Sequence, residues 1–328
     1  MEQVRKLKKE LVAAIISVMI TAVALTSATY AWYVANNKVK TTTSTISAKT
    51  NGFILQIATL EEGAQHGGEQ KSLEASTTGA ILSPASTDDL ENWYVCDGWS
   101  ENGMVTGYSK VDFKTGEGVK TGTYTGVDKD YHAFIKSDYI VYTITATGTA
   151  DVYLDSEDDE FPITVTAKGG NGSKTVTDSM RVAITTQPLG ADGKNPTGEE
   201  TLKVVYAVND EIGKGNDSTA KDGWTSIRND NGTAKLDTVT YPHIYGGNYI
   251  DQKNKKNWVA TKTGENFTVP TNSEPIAAGV GYDGVVVHVY IWMEGTDADC
   301  VNGKSIEDDP TTYDVTVKLA GVATGENK

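Results

Sequence analysis

Beyond residue 34, no run of ten or more residues carries a 3.6-residue apolar period, while short β-branched and aromatic runs recur to the C-terminus. That pattern excludes helical bundles and layered α/β folds, because both need amphipathic helices to cover a core. The clearest strand signal is residues 139–147. There Ile140, Tyr142, Ile144 and Ala146 fall on one face, with Val141, Thr143, Thr145 and Thr147 on the other. Residues 148–150 are expected to turn this strand into a short one at 152–154, and residues 163–167, 180–186 and 202–208 give further strands. Residues 285–293 are nearly continuously apolar, which predicts a strand covered on both faces. In 313–319, Val315, Val317 and Leu319 alternate with Asp314, Thr316 and Lys318, which predicts one buried face. At least eight short strands without helices predict an all-β chain, read here as a jelly-roll-like two-sheet β-sandwich with long loops.

The connections are read from turn chemistry. Residues 38–60 are β-branched, with Asn51 and Gly52 as a turn signal between two strands. Residues 61–84 are polar and rich in Gly and Ser, and read as a loop. Residues 90–127 space Trp93, Tyr94, Trp99, Tyr108, Phe113 and Tyr124 with Gly and charge, so short strands and long connections are expected. Residues 209–263 are irregular and polar, with no more than weak hairpins.

The N-terminus is of another kind. Arg5, Lys6, Lys8 and Lys9 precede an apolar stretch over 11–25, and no charge occurs between Leu11 and Ala31. A basic head, an apolar run and small residues at its exit are the signature of a secretory signal peptide. Thr29 and Ala31 present small side chains to a signal peptidase, with cleavage between Ala31 and Trp32; a second candidate cut follows Ala28. The other reading is an uncleaved N-terminal membrane-anchor helix with its basic head inside the cell. The chain thus divides into a signal peptide or anchor at 1–31, an N-terminal strand segment at 32–60, and a β-sandwich domain with insertions at 61–328. It is expected to be secreted or held at the cell surface, touching membrane only through the N-terminal segment.

Charge agrees with that address. The sequence holds 29 Lys+Arg against 44 Asp+Glu, a net −15. Removing residues 1–31, with four basic and two acidic residues, leaves 25 against 42, or −17. Such a surface repels nucleic acid and anionic lipid, which bind clustered cations. In an oxidising exterior Cys96 and Cys300 form either one long-range disulfide or two separate buried thiols, and spacing alone does not choose between them.

Catalytic and metal constellations were sought in the same way. None of His66, His132, His243 and His288 has another His three or four residues away, so a zinc-protease helix is excluded. There is no Gly-x-Ser-x-Gly elbow and no phosphate loop. His288, inside the apolar run, reads as a satisfied core histidine. Asp297 and Asp299, with the acids at 307–309, give a weak calcium candidate. Counted from Asp297, however, the sixth position is Asn302 rather than Gly, and Val301 offers no side-chain oxygen. The acidic run at 155–160 is a second weak calcium candidate. No catalytic residue or cofactor is assigned. The last residues, 321–328, carry no Leu-Pro-x-Thr-Gly signal, so sortase attachment is not expected.

Residues 29–33 (Thr-Tyr-Ala-Trp-Tyr), the Thr-rich segment after them and residues 51–55 (Asn-Gly-Phe-Ile-Leu) resemble the start of Gram-positive extracellular fibre proteins of the TasA/camelysin type. Residues 289–300 are similar to a segment near the end of related clostridial surface proteins. The resemblance implies a jelly-roll subunit, processed by a dedicated signal peptidase, that self-associates into fibres of a biofilm matrix. It also implies that the freed N-terminus adds as a strand to the next subunit, which here would be residues 32–46 with Trp32, Val34 and Val39 as apolar anchors. The expected function is therefore a non-enzymatic structural subunit. The alternative is a membrane-anchored adhesin or glycan-binding ectodomain in which Trp93, Tyr94 and Trp99 stack on sugars.

Overall fold

A computed structural model describes residues 39–50, 55–64, 66, 72–87, 89–99, 105–114, 116, 121–126, 130–156, 161–168, 177–208, 223–230, 233–240, 249–250, 258–263, 266–295, 297, 300 and 312–326. The N-terminal segment 1–38, with Ala31, Trp32 and Val34, lies outside them. The strands in chain order are β1 (Val39–Thr50), β2 (Leu55–Thr59), β3 (Ser72–Leu82), β4 (Ala85–Ser86), β5 (Tyr94–Trp99), β6 (Val105–Lys110) and β7 (Thr123–Thr125). There follow β8 (Asp130–His132), β9 (Ile135–Thr143), β10 (Gly148–Asp155), β11 (Ile163–Lys168), β12 (Met180–Pro188), β13 (Thr201–Ala207) and β14 (Gly223–Asp230). The last are β15 (Thr233–Thr240), β16 (Tyr249–Ile250), β17 (Val259–Thr263), β18 (Asn266–Thr268), β19 (Ala277–Val280), β20 (Val285–Met293) and β21 (Thr312–Glu326).

The chain is all-β, and most strands join one of two large sheets. The first sheet runs β18-β17-β10-β21-β1-β3-β8-β7, with β11 beside β21 and β19 beside β10. The second runs β16-β13-β12-β20-β9-β2. Their facing side chains form one core. Ile46, Val152, Leu154, Val315, Val317 and Leu319 come from the first sheet, and Leu55, Val141, Val182, Ile184, Val289 and Ile291 from the second. Each such side chain, fully removed from water, stabilises the fold by roughly 1.5–3 kcal/mol. Two sheets closing on one core give a sandwich-like architecture.

The apolar run of β20 has its expected cause. It lies between β12 and β9. Val287, Val289, Ile291 and Met293 enter the shared core. Tyr290 and Trp292 point the other way, into a second cluster with Trp93, Phe134 and Ala85. β21 buries Tyr313, Val315, Val317 and Leu319 and leaves Asp314, Thr316 and Lys318 partly exposed, as alternation requires.

Two expectations are corrected. The strand read at 139–147 is β9, which begins at Ile135 and ends at Thr143. Thr143 Oγ1 donates to the carbonyls of Thr145 (3.4 Å) and Gly148 (3.2 Å), closing a tight reversal that takes Ile144 and Ala146 out of the strand. The segment 61–84, read as a loop, contains β3, an eleven-residue strand. Its Ser/Thr-rich sequence has no apolar alternation, and it is held by antiparallel pairing to β1. The turn signal at Asn51 and Gly52 lies outside the described residues; strands stand on either side of it, β1 in the first sheet and β2 in the second.

Candidate functional site

The two ends of the described chain meet in one place. β1 runs parallel to β21 from Thr42 opposite Tyr313 to Thr50 opposite Gly321. Its other edge pairs antiparallel with β3, from Thr41 opposite Thr78 to Ser47 opposite Ser72. Val39 sits opposite Leu82, beyond a register shift. On the far side of β21, β11 and β10 occupy successive halves of that long strand. β1 therefore fills a slot between two other strands and places Ile46, wholly buried, in the shared core. Residues 42–47 are accordingly not a free strand here: they are paired on both edges within their own chain, while Val39 and Thr41 pair with β3 alone.

A buried charge cluster closes one end of the second sheet. Arg181 (2% exposed) donates from Nη2 to Asp297 Oδ2, and Asp297 is 3% exposed. Arg181 Nη1 donates to the carbonyls of Asp178 (3.1 Å) and Met180 (3.0 Å). The indole N–H of Trp292 donates to Glu294 Oε2 at 3.1 Å. Backbone bonds tie the turn down: Glu294 N to Ser179 O at 2.8 Å, Gly295 N to Ala85 O at 2.8 Å and Cys300 N to Asp297 O at 3.0 Å. Cys300 is buried and free, and the side chain of Cys96 lies outside the described residues. Burial, followed by the Asp297 and Glu294 carboxylates, pushes the Cys300 thiol far up, so it stays protonated. The first calcium candidate begins at Asp297, whose carboxylate is turned inward to Arg181. Among the described residues no group of three His, Cys, Asp or Glu side chains is placed to hold a metal ion.

On the outer face of the same sheet a polar belt surrounds His288. Its Nδ1 lies 2.6 Å from Asp138 Oδ1 and its Nε2 3.2 Å from Gln187 Oε1. Glu200 accepts from Lys136 Nζ (2.9 Å), the Tyr290 hydroxyl (2.8 Å) and the Thr185 hydroxyl. Lys136 Nζ also stands 4.8 Å from the centre of the Tyr290 ring. Desolvation raises the Glu200 pKa, but His288, Thr185 and Lys136 together lower it further, so the net direction is down. Desolvation and then Glu200 push the Tyr290 phenol strongly up. An Asp–His pair is the kernel of many hydrolases, yet both ring nitrogens of His288 are engaged and the Thr185 hydroxyl donates its hydrogen bond to Glu200. The belt is suited to holding three strands together.

Two of the three aromatics of the alternative, sugar-stacking reading lie in the core. Trp93 (2% exposed) and Tyr94 are buried, and the Trp93 ring centre is 4.5 Å from Phe134 and 5.5 Å from Trp292. Its indole N–H donates to the Leu90 carbonyl at 3.0 Å. The Trp99 side chain lies outside the described residues. Among the described residues, the large apolar side chain that does reach solvent is Tyr282, 37% exposed. It lines a groove of about 570 Å³. A neighbouring groove of about 470 Å³ is lined by His66 and shares Leu189 and Asp283 with the first. The Tyr282 and His66 rings stack with centres 3.4 Å apart and planes 9° apart.

Sequence reading missed both the Arg181–Asp297 pair and the Tyr282–His66 stack. Arg181 carried a signal, being a charge inside the apolar run 180–184. Tyr282 carried a weaker one, an aromatic flanked by Gly281 and Gly284. Compared with known proteins, the chain matches no family model, no curated protein and no solved structure.

Proposed function

We propose that this chain is a secreted, non-enzymatic subunit of an extracellular fibre or biofilm matrix, built on a jelly-roll sandwich and assembled by exchange of its N-terminal strand. The observation that carries this reading is the slot between β3 and β21. It is filled by β1, the first strand of the described chain, in a register of nine successive pairs with β21. With processing at Ala31–Trp32, β1 becomes the first described strand of a shortened chain and can leave its slot without carrying another strand with it. The β1 of a second copy can then restore the same backbone hydrogen bonds and the same Ile46 contacts. Exchange of identical elements is a low-cost route to assembly, because the contacts already exist in the single chain. When each copy gives its β1 to the next, the contact is head-to-tail and propagates as a filament.

The resemblance of residues 29–33 and 51–55 to TasA/camelysin-type proteins supports the reading, with processing at Ala31–Trp32 by a signal peptidase freeing the N-terminus. Exchange replaces addition to an open sheet edge as the assembly step, since β1 is already paired on both sides. The test is negative-stain microscopy of protein beginning at Trp32, with and without excess synthetic peptide of residues 32–50. Filaments that shorten as peptide is added are expected. No filaments, or filaments indifferent to the peptide, would overturn the proposal.

A further inference from the structure

The paired grooves around Tyr282 belong to no part of the assembly slot, and their geometry points to a ligand. We propose that they bind an uncharged or amino-bearing oligosaccharide, with the Tyr282 ring as its stacking platform. The ring is presented rigidly. Gly281 accepts a backbone hydrogen bond from Thr143 at 3.0 Å. Gly284 has a φ of +84°, and a Cβ there would meet the Val141 carbonyl at 2.9 Å, so the turn holding Tyr282 is locked against β9. His66 backs the ring in a parallel stack and itself meets Tyr142 edge-on, with centres 5.1 Å apart. An exposed aromatic fixed from behind keeps its geometry without a ligand, so little conformational freedom is lost when a sugar ring lies on it.

The lining selects the class of ligand. Glu62, Asp192, Asp283 and Glu199 bring four carboxylates to the two grooves, against Lys194 and Lys203. Carboxylates accept hydrogen bonds from sugar hydroxyls or ammonium groups and repel uronic or phosphorylated sugars. Asp192 is held ionised by hydrogen bonds from the Asn195 backbone and side chain and the Lys194 backbone, which lower its pKa to about 2. The His66 Nδ1 is buried, with no hydrogen-bond partner among the described residues. It offers one further polar atom beside the smaller groove. A peptide partner would need apolar pockets for alternate side chains. The grooves set four carboxylates and two lysines around the Tyr282 ring, over an apolar lining that includes Pro188, Leu189 and Val285, and titration with decaproline separates the two occupants.

The experiment is calorimetric titration of the folded protein with cellohexaose, a glucosamine hexamer, a galacturonate hexamer and decaproline. Saturable binding of cellohexaose or the glucosamine hexamer, absent for galacturonate, is expected. Tyr282→Ala should weaken it about tenfold or more, and Tyr282→Trp should retain it. Because Tyr282 is exposed, its melting temperature should stay close to that of the parent, and Asp283→Asn gives a second variant with reduced affinity. The proposal is overturned by no binding of either sugar at millimolar concentration. Binding unchanged in Tyr282→Ala, or binding of decaproline in place of the sugars, would overturn it as well. None of these outcomes depends on filament formation.

Discussion

The two large sheets share a core but are closed in different ways. The second sheet is built on β20, which is flanked by β12 and β9 and packed on both faces. Its open positions are sealed by charge: Arg181 with Asp297 at one end, and the His288 belt across the outer face. The first sheet is built on β21, which has one apolar face and takes β1 from the other end of the chain. The second sheet carries buried charge pairs that join its own strands. The first sheet brings together β1 and β21, the first and last described strands, and under the proposed assembly β1 is the element that a second copy replaces.

Asp297→Ala should produce the largest effect, since it leaves the Arg181 guanidinium buried without its carboxylate. Breaking a buried pair in this way costs about 3–5 kcal/mol, read from denaturant unfolding. The double variant Arg181→Met with Asp297→Leu should recover most of that loss, because it removes both charges. A loss below about 1 kcal/mol in Asp297→Ala would show that the second sheet is not locked there.

Ile46→Ala comes next, at about 2–5 kcal/mol for a fully buried isoleucine. Unlike Asp297→Ala, it should also lower filament yield when mixed in excess with parent protein, because its β1 is a poor occupant of any slot. Equal filament yield in that mixture would erase the distinction between the sheets.

The smallest effect is in the belt. Glu200→Gln should cost about 1–2 kcal/mol near neutral pH. The folded Glu200 pKa lies below its ordinary 4.5, so its contribution is present above 4.5 and lost as pH falls through the lower folded value. Acid titration of the parent should therefore show a loss of stability below about pH 4.5 that is smaller in Glu200→Gln. Identical acid profiles would remove the belt from the account.

Legibility followed the same division. The apolar run of β20 and the alternation of β21 were readable, because burial on one or both faces writes itself into the residue order. β3 was not readable: Ser72–Leu82 is held by hydrogen bonding to β1, and backbone pairing leaves no apolar period. For Trp93 and Tyr94 the sequence left sugar stacking open as an alternative, because three aromatics near Gly and Asp say nothing of what covers them; both are buried. Arg181 and Asp297 stand 116 residues apart, so their pairing existed only in the fold. Asp297 consequently offered no more than a weak calcium candidate in the sequence.

Exchange of β1 between copies is tested most directly by cysteine cross-linking across its register with β21. Thr45 lies opposite Thr316. In protein with Cys96 and Cys300 replaced by Ala, one batch carries Thr45→Cys and another Thr316→Cys, and the two are mixed before assembly and oxidised. Neighbouring strands place these positions within disulfide reach. Strand exchange predicts a covalent dimer of one chain of each kind, growing as filaments form. A Thr45→Cys, Thr316→Cys double variant that closes only within its own chain, together with no dimer between the singly substituted chains in filaments, would contradict it.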